Sequence, residues 1–172
     1  MANWDLTPRP GSASEVTLVE LMTIPDANIA GTVHGGTVMK LVDTAAGLAA
    51  IRHCGGLAVT ASIDQMSFHA PAHVGDLIHI RASVNDVGRT SIEVGVRVEA
   101  ENIVTGDRMH TSSAYIVMVA VDEHGRPRPV PPLVVESDTQ RRRQREARLR
   151  RESRLAHERS IESARAEVDP RD

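Results

Sequence analysis

The segment Thr37–Arg52 constrains the fold of this chain more than any other part of it. It is long enough for a helix, and its apolar residues surround the helix axis almost completely. They are Val38, Met39, Leu41, Val42, Ala45, Ala46, Leu48, Ala49 and Ala50. A helix that is apolar all round must be buried on most of its sides. Because Gly55 and Gly56 end the segment, we predict one long central helix that other elements cover.

After these glycines the hydrophobic pattern changes to an alternation of period two, which is typical of strands. The alternation is clearest where Ile92, Val94 and Val96 face one way while Glu93 and Arg97 face the other. The predicted strands are 15–24, 57–64 with a continuation at 65–69, 76–87, 90–100 and 109–121. A strand, a buried helix and four or five antiparallel strands make an α+β architecture, with one sheet wrapped around one helix. Because such a sheet leaves strand edges open, we expect at least a two-fold dimer.

Composition separates a folded domain from a charged tail. We predict a flexible N-terminus at 1–12, one domain at 13–134 and an Arg- and Glu-rich tail at 135–172. The prolines of Pro127–Pro132 mark the boundary between domain and tail. The tail lacks Pro and Gly over Ser137–Val168, which permits a helix at about Asp138–Glu167 with an aspartate as N-cap. Without an apolar stripe, this helix is expected to be solvated and only marginally stable.

Charge and cysteine content exclude several classes of function. A formal net charge of −3 argues against a domain-wide basic surface for nucleic acid. Cys54 is the single cysteine, so the chain can form no intrachain disulfide and no cysteine-based metal centre, and its histidines lack a metal-binding spacing. The sequence has no apolar stretch long enough to span a membrane and no secretory signal, so we expect a cytoplasmic protein.

Asp43 is the residue of the helix that its apolar composition does not explain. The neighbours on its helix face are Met39, Ala46 and Gly47, two of which are small. A buried carboxylate is costly unless it is paired, and burial raises the pKa of a carboxyl group, which suits a general base or a nucleophile. The alternatives are an aspartate bonded to a backbone group and one that reaches solvent through a gap in the helix cover.

The entry to the helix offers a second chemical feature. Gly35 and Gly36 lie where the backbone N–H groups of the first helical turn have no partner. Such donors, with the helix dipole, can bind a carbonyl oxygen and stabilise negative charge on it. Asn28 precedes them in the loop and brings an amide donor and acceptor. The alternative for the glycines is a tight turn, and His34 can serve as a base or as a helix cap.

These residues belong to four blocks that resemble the hotdog-fold acyl-CoA thioesterases, in particular the acyl-CoA hydrolases of the brain type and their short bacterial relatives. The first block is Asn28, Gly31, His34, Gly35, Gly36, Met39 and Asp43. The second is Asp64–Phe68, Pro71, Gly75 and Asp76, and the third is Gly88–Ser91. The fourth is Val119–Asp122, Gly125, Pro127 and Pro129–Pro131. Together they cover about residues 15–133, and the tail has no counterpart in the resemblance.

The resemblance implies a hotdog fold whose subunits share composite sites, with trimers of dimers common. The family's catalytic asparagine falls on Asn28 and its helix aspartate on Asp43, contributed by opposite subunits. The implied reaction is hydrolysis of acyl-CoA thioesters to fatty acid and CoA, without a cofactor beyond the CoA of the substrate. Together with the N–H groups at the helix entry, the resemblance implies that the carbonyl oxygen binds to the N–H groups of Gly35 and Gly36. The aspartate activates water or attacks the carbonyl carbon directly.

The third block implies where CoA itself is bound. Arg89, Thr90 and Ser91 match a turn that contacts CoA in the family, with the arginine able to pair with phosphate. The alternative is a hairpin with a solvated arginine. Phe68 is expected in the core or in an interface, and helix residues such as Met39 could line an acyl tunnel or simply pack.

Two other functions compete with hydrolysis. A hotdog enoyl-CoA hydratase would need an acid–base pair in which His34 or His69 joins an aspartate. A non-catalytic acyl-CoA-binding or nucleic-acid-binding protein would use the arginines of 141–145. The glutamates interspersed in the tail favour a solvated helix or an assembly contact instead.

Overall fold

A computed structural model describes residues 4–168 as one five-stranded antiparallel sheet with two long helices. The strands are β1 (Arg9–Pro10), β2 (Val16–Leu21), β3 (Ala58–Phe68), β4 (Asp76–Val87), β5 (Ser91–Asn102), β6 (Arg108–Ala120) and β7 (Leu133–Val134). The helices are α1 (Gly35–Cys54) and α2 (Asp138–Val168), with short 3₁₀ turns at Gly11–Ser14 and Ile24–Asp26. The predicted α+β class, with one antiparallel sheet packed on one long helix, is confirmed.

The large sheet has the strand order β2–β4–β5–β6–β3 and packs its inner face on α1. Alternate residues of the central strands point inward and are fully buried, including Ile78, Val94 and Ile116. On the helix side the contact is made by small residues such as Ala46 and Ala49, which let the helix backbone approach the sheet closely. The predicted period-two alternation therefore does form the core.

One face of α1 is not covered by its own chain. Met39 and Leu48 on this face remain 41% and 40% exposed, so the expected burial of the helix on most sides is incomplete. The neighbouring strand β3 is an edge of the sheet, since its only partner among the described strands is β6. Ile63 of this edge strand lies opposite Ile116 on the inner side of the sheet and is 43% exposed. The helix face, which also carries the exposed Lys40 and Thr44, and the strand edge thus form one largely apolar surface that the single chain leaves open.

The N-terminal residues differ from the predicted flexible segment. Residues 9–10 form a parallel pair with β7, in which Arg9 is opposite Leu133. The backbone N–H of Arg9 donates to the carbonyl of Pro132 at 2.9 Å, and Gly11 is buried. The described part of the N-terminus is therefore docked beside the end of the domain, while residues 1–3 lie outside the described range.

The C-terminal helix has the predicted extent, but its first half is not solvated. It crosses the outer face of the sheet, and Ala147 is fully buried there. The guanidinium of Arg150 lies 3.6 Å from the ring centre of Tyr115 on β6 and pairs with Glu93 on β5. The prediction of a solvated helix was wrong because it rested on the absence of an apolar stripe. The side of α2 that faces the sheet carries arginines instead, which form ion pairs with carboxylates on the strands.

Candidate active site

The start of α1 presents one open backbone donor. His34 is the N-cap, and its Nδ1 accepts a 2.9 Å hydrogen bond from the N–H of Gly36. Free N–H groups were expected at both Gly35 and Gly36, but the N–H of Gly36 already has an acceptor. Among the hydrogen bonds of the described residues, none involves the N–H of Gly35. Of the two predicted donors, Gly35 is the one available in this conformation, and His34 acts as a cap.

The loop before the helix is braced by Asn28. Its Oδ1 accepts from the N–H groups of Ala30 at 2.8 Å and Thr32 at 3.2 Å, and its Nδ2 donates to Thr32 Oγ1 at 2.9 Å. Gly31 completes the turn with a φ of 79°, a region that favours glycine. The half-buried amide thus holds its own loop in shape and keeps one N–H of its Nδ2 for another acceptor.

A second brace fixes the other end of the same loop. The N–H and the hydroxyl of Thr23 both donate to Oδ2 of Asp26 at 2.8 Å, and these bonds hold the pKa of Asp26 below its ordinary value. The carbonyl of Asp26 in turn accepts from the N–H of His34 at 2.7 Å. The loop that leads to Gly35 is therefore tied at both ends, which presets the position of the helix start.

Asp43 lies on the uncovered face of α1 and is exposed in the single chain. This differs from the burial that the apolar sequence around it predicted, because the open face of the helix runs through its position. Its Oδ1 accepts a 2.6 Å hydrogen bond from the hydroxyl of Thr60 on β3. Thr60 was not singled out in the sequence, since nothing in a lone threonine on a predicted strand shows that it faces a helix aspartate.

Gly35 and Asp43 do not meet within one chain. They are eight positions apart on the same helix, which at 1.5 Å per residue separates them by about 12 Å along its axis. No contact joins Asp43 to Asn28 among the hydrogen bonds and ion pairs of residues 4–168. If one substrate carbonyl uses both groups, they must come from two chains.

A cavity of about 360 Å³ opens beside the helix start. Most of its lining is apolar, and it includes Val33, Val38, Pro71 and Ala72. Phe68 also lines it and remains 53% exposed, so it is not the core residue that the sequence analysis considered. A Cβ at Gly35 would lie 3.5 Å from this ring, so the aromatic edge borders the first residue of the helix.

The predicted CoA-contacting turn joins β4 to β5 at the far end of the sheet. The N–H of Gly88 donates to the carbonyl of Ser91 at 2.8 Å, and the carbonyl of Arg89 accepts from Val130 at 3.1 Å. Arg89 is exposed, whereas Thr90 and Ser91 are half-buried. The turn is thus fixed by the segment after β6 and presents one guanidinium to solvent.

The described residues contain no group of three or more His, Cys, Asp or Glu side chains positioned to hold a metal ion. Between residues 4 and 168, neither helix is apolar enough over a sufficient length to cross a bilayer.

Comparison with known proteins links this geometry to a family. Residues 30–106, which include the helix and its N–H donor, match the family described as the Thioesterase superfamily. The chain is 37% identical to the mouse cytosolic acyl coenzyme A thioester hydrolase over 142 residues. This alignment covers 80% of the chain and 37% of the mouse protein, which is therefore much longer.

Two solved structures resemble the whole chain. An apo-hexameric acyl-CoA thioesterase has a TM-score of 0.85 and 38% identity, with 88% of this chain and 97% of that one covered. An acyl-CoA hydrolase of Staphylococcus aureus, solved with butyryl coenzyme A and coenzyme A, has a TM-score of 0.83 and 31% identity over 92% of this chain and 95% of its own. Further structures of that hydrolase carry the substitutions Asn28Ala, Asp43Ala and Thr60Ala. The predicted resemblance is confirmed, and this chain belongs to the thioesterase superfamily, among its hotdog-fold acyl-CoA thioester hydrolases.

Proposed function

We propose that the protein hydrolyses acyl-CoA thioesters to a carboxylic acid and free CoA. The observation that carries the proposal is the carboxylate of Asp43, held by the hydroxyl of Thr60 on the uncovered face of α1. The open N–H of Gly35 at the start of the same helix supplies the donor that a thioester oxygen needs. Membership in the acyl-CoA thioester hydrolases favours this reaction over hydration of an enoyl-CoA.

The reaction joins these groups across two subunits. The thioester carbonyl oxygen accepts from the N–H of Gly35, while the partner's Asp43 takes a proton from water. The hydroxide formed attacks the carbonyl carbon, and the tetrahedral intermediate expels the CoA thiolate when the carbon–sulfur bond breaks. The protonated Asp43 then gives its proton to the thiolate, which leaves the acid and CoA as products and restores the carboxylate. The free N–H of the Asn28 amide orients the attacking water or the thioester.

The S. aureus structures support these assignments. They include alanine variants of an asparagine, an aspartate and a threonine numbered 28, 43 and 60 in that protein. This chain has Asn28, Asp43 and Thr60 at the same three numbers, in a fold that superposes with that hydrolase over nearly its full length. In this proposal Thr60 is a positioning residue that aims the carboxylate, and it makes no contact with the substrate.

The cavity beside Gly35 is assigned to the acyl part of the substrate, since its lining is mostly apolar. Arg89, Thr90 and Ser91 are assigned to CoA, because an exposed guanidinium with two hydroxyls suits phosphate oxygens. CoA is then part of the substrate, and no further cofactor is invoked. A cytoplasmic location remains a prediction, supported by relatives that are named cytosolic.

The functional unit in this proposal is a homodimer formed through the open surface of α1 and the edge of β3. Pairing of two such edges covers the exposed apolar residues and brings the middle of one helix towards the start of the other. A relative described as hexameric supports assembly into a trimer of such dimers.

Subunit mixing tests the shared site directly. Asp43→Ala and Gly35→Pro inactivate different halves of the site, so each homodimer should release little thiol from an acyl-CoA. When the two variants are co-expressed in equal amounts, half of the dimers contain one chain of each variant. Each of these mixed dimers has one site with both groups intact. We expect about a quarter of wild-type thiol release from such random two-fold assembly. Activity no higher than that of the single variants would show that both groups act within one chain.

The role of Asp43 is tested by a panel of short-, medium- and long-chain acyl-CoAs assayed for thiol release. Removal of a general base lowers turnover by about 10²- to 10⁴-fold, so the rate of thiol release by Asp43→Ala should fall by at least about 10²-fold. Asp107→Ala removes an exposed carboxylate in the β5–β6 turn and is the matched control. Equal rates for Asp43→Ala and the wild type would remove the aspartate from the mechanism.

A further inference from the structure

The first half of α2 is fixed on the sheet by a set of matched charges. Three carboxylates on the outer face are almost buried, with side-chain exposures of 8–11%, and each is paired with an arginine of the helix. The pairs are Arg148 with Asp86, Arg150 with Glu93 and Arg154 with Asp64. Because the carboxylates come from three different strands, the pairs determine both the position of the helix and its rotation about its axis.

Arg151 lies among these residues but has no carboxylate of its own. No ion pair or hydrogen bond involves its side chain in the described part of the protein. The nearby carboxylates of Asp86 and Glu93 already have arginine partners. Among the four arginines between positions 148 and 154, Arg151 is therefore the one without a carboxylate partner, and its side chain is exposed.

The guanidinium of Arg151 lies against the β4–β5 turn. A methyl group at Gly88 would come within 2.6 Å of its Nη1 and of Ser91 Oγ, so the lack of a side chain lets the arginine approach this closely. Arg151 and Ser91 also line the same small crevice between α2 and the sheet. Arg89 follows Gly88 in the turn and is likewise exposed. Arg89 is thus part of the turn and Arg151 of α2 lies against it, and neither side chain has an ion pair among the described residues.

We propose that Arg151 binds a phosphate group of the CoA moiety, jointly with Arg89. The inference rests on the proposed function, which assigns the turn to CoA. Guanidinium groups bind phosphate oxygens in a bidentate manner, and the hydroxyls of Thr90 and Ser91 add neutral donors. The three ion pairs that seat α2 hold Arg151 in place, so the C-terminal helix forms part of the substrate site.

The test compares a substrate that has phosphates with one that has none. Thiol release is measured with an acyl-CoA and with the N-acetylcysteamine thioester of the same acid. Arg151→Ala is expected to raise KM for the acyl-CoA by about 1.5- to 5-fold, the range for an exposed charged contact, with little change in kcat. For the N-acetylcysteamine thioester the ratio of KM between variant and wild type should remain near one. Arg151→Lys keeps the charge without the planar fork and should raise KM less.

Arg145→Ala is the matched control, because Arg145 is an exposed arginine on the same helix and far from the turn. Its KM for both substrates should equal that of the wild type. An unchanged KM for acyl-CoA in Arg151→Ala would overturn the inference, and so would an equal rise for both thioesters. Added salt should raise KM more steeply in the wild type than in Arg151→Ala, because screening weakens the same contact.

Two parallel measurements separate this inference from the proposed function. If Arg89→Ala raises KM for acyl-CoA and Arg151→Ala does not, the turn binds CoA without α2 and only the inference fails. If the wild type hydrolyses no thioester, the proposed function fails, and calorimetry with CoA and with pantetheine then tests the phosphate site by itself. CoA binding that is weakened in Arg151→Ala would support the site, whereas equal CoA binding by both proteins would overturn it.

Discussion

The hydroxyl of Thr60 donates a 2.6 Å hydrogen bond to Oδ1 of Asp43. It joins the edge strand β3 to the uncovered face of α1, at the centre of the apolar surface that the single chain leaves open. A bond to one carboxylate oxygen leaves the other oxygen directed away from the strand. The pair therefore fixes the rotamer of a carboxylate that would otherwise turn freely in solvent.

The Thr60 hydroxyl is predicted to act on turnover and not on substrate affinity. Thr60→Val keeps the shape of the side chain and removes the donor, and a hydrogen bond to a charged group contributes about 1.5–3 kcal/mol. We expect kcat for acyl-CoA hydrolysis to fall about 10- to 100-fold, with KM within a factor of about two, because the substrate does not touch Thr60. Thr60→Ser restores the donor and should recover most of kcat. A Thr60→Ser variant as slow as Thr60→Val would contradict the role of the hydroxyl.

The N–H of Gly35 is predicted to stabilise the oxyanion. Gly35 is the first residue of α1, where proline is well tolerated, and the extended backbone of His34 suits the residue before a proline. Gly35→Pro should therefore fold normally while it lowers kcat by about 10²- to 10³-fold, the cost of one oxyanion donor. Gly35→Ala keeps the N–H, and its methyl group meets only the edge of Phe68 at 3.5 Å. If alanine and proline reduce kcat equally, sterics rather than the N–H group would explain the loss.

The edge of β3 is predicted to form the dimer. Ile63→Asp places a charge on the inner side of this edge at a residue that is 43% exposed, so pairing through α1 and β3 would have to bury an unpaired carboxylate. We expect monomers in light scattering coupled to gel filtration, together with loss of hydrolysis. Ile103→Asp makes the same substitution at a 54% exposed position in the β5–β6 turn and should leave assembly unchanged. An Ile63→Asp protein of wild-type mass would exclude this interface.

His53 is predicted to make stability depend on pH. Its ring is buried at the end of α1, and this burial lowers the pKa of His53 below its ordinary value of 6.5, against the opposing effect of its 3.0 Å bond with the carbonyl of Pro131. The folded state thus disfavours the charged ring. Stability is fully present above about pH 6.5 and is lost as the pH falls below it, because the unfolded chain then binds the proton more readily.

The urea midpoint at pH 7.5 and at pH 5.0 measures this effect. His53→Gln should have a lower urea midpoint than the wild type at pH 7.5. Its midpoint should fall less than that of the wild type between pH 7.5 and pH 5.0. His157→Gln, at an exposed position of α2, should show the wild-type difference. An unaltered pH difference in His53→Gln would assign the acid sensitivity to other groups.

The order of elements and the site motifs could be predicted from the sequence, because they depend on local pattern. The alternation at residues such as Ile92 and Val94 predicts a sheet with one buried face, and the long apolar helix segment predicts that other elements cover it. The four blocks between Asn28 and Pro131 were specific enough together to indicate the family, since their order and spacing match over about residues 15–133. The predicted strand and helix limits agree with the structure to within a few residues.

Only the tertiary structure could decide which residues from distant segments meet. The bond between Thr60 and Asp43 and the pairing of Arg150 with Glu93 depend on how elements cross in space, and a one-dimensional pattern carries no information about those crossings. Local periodicity thus determined what this chain folds into. The packing of helix against sheet determined which side chains face each other, because contact energy depends on three-dimensional distance and not on position along the chain.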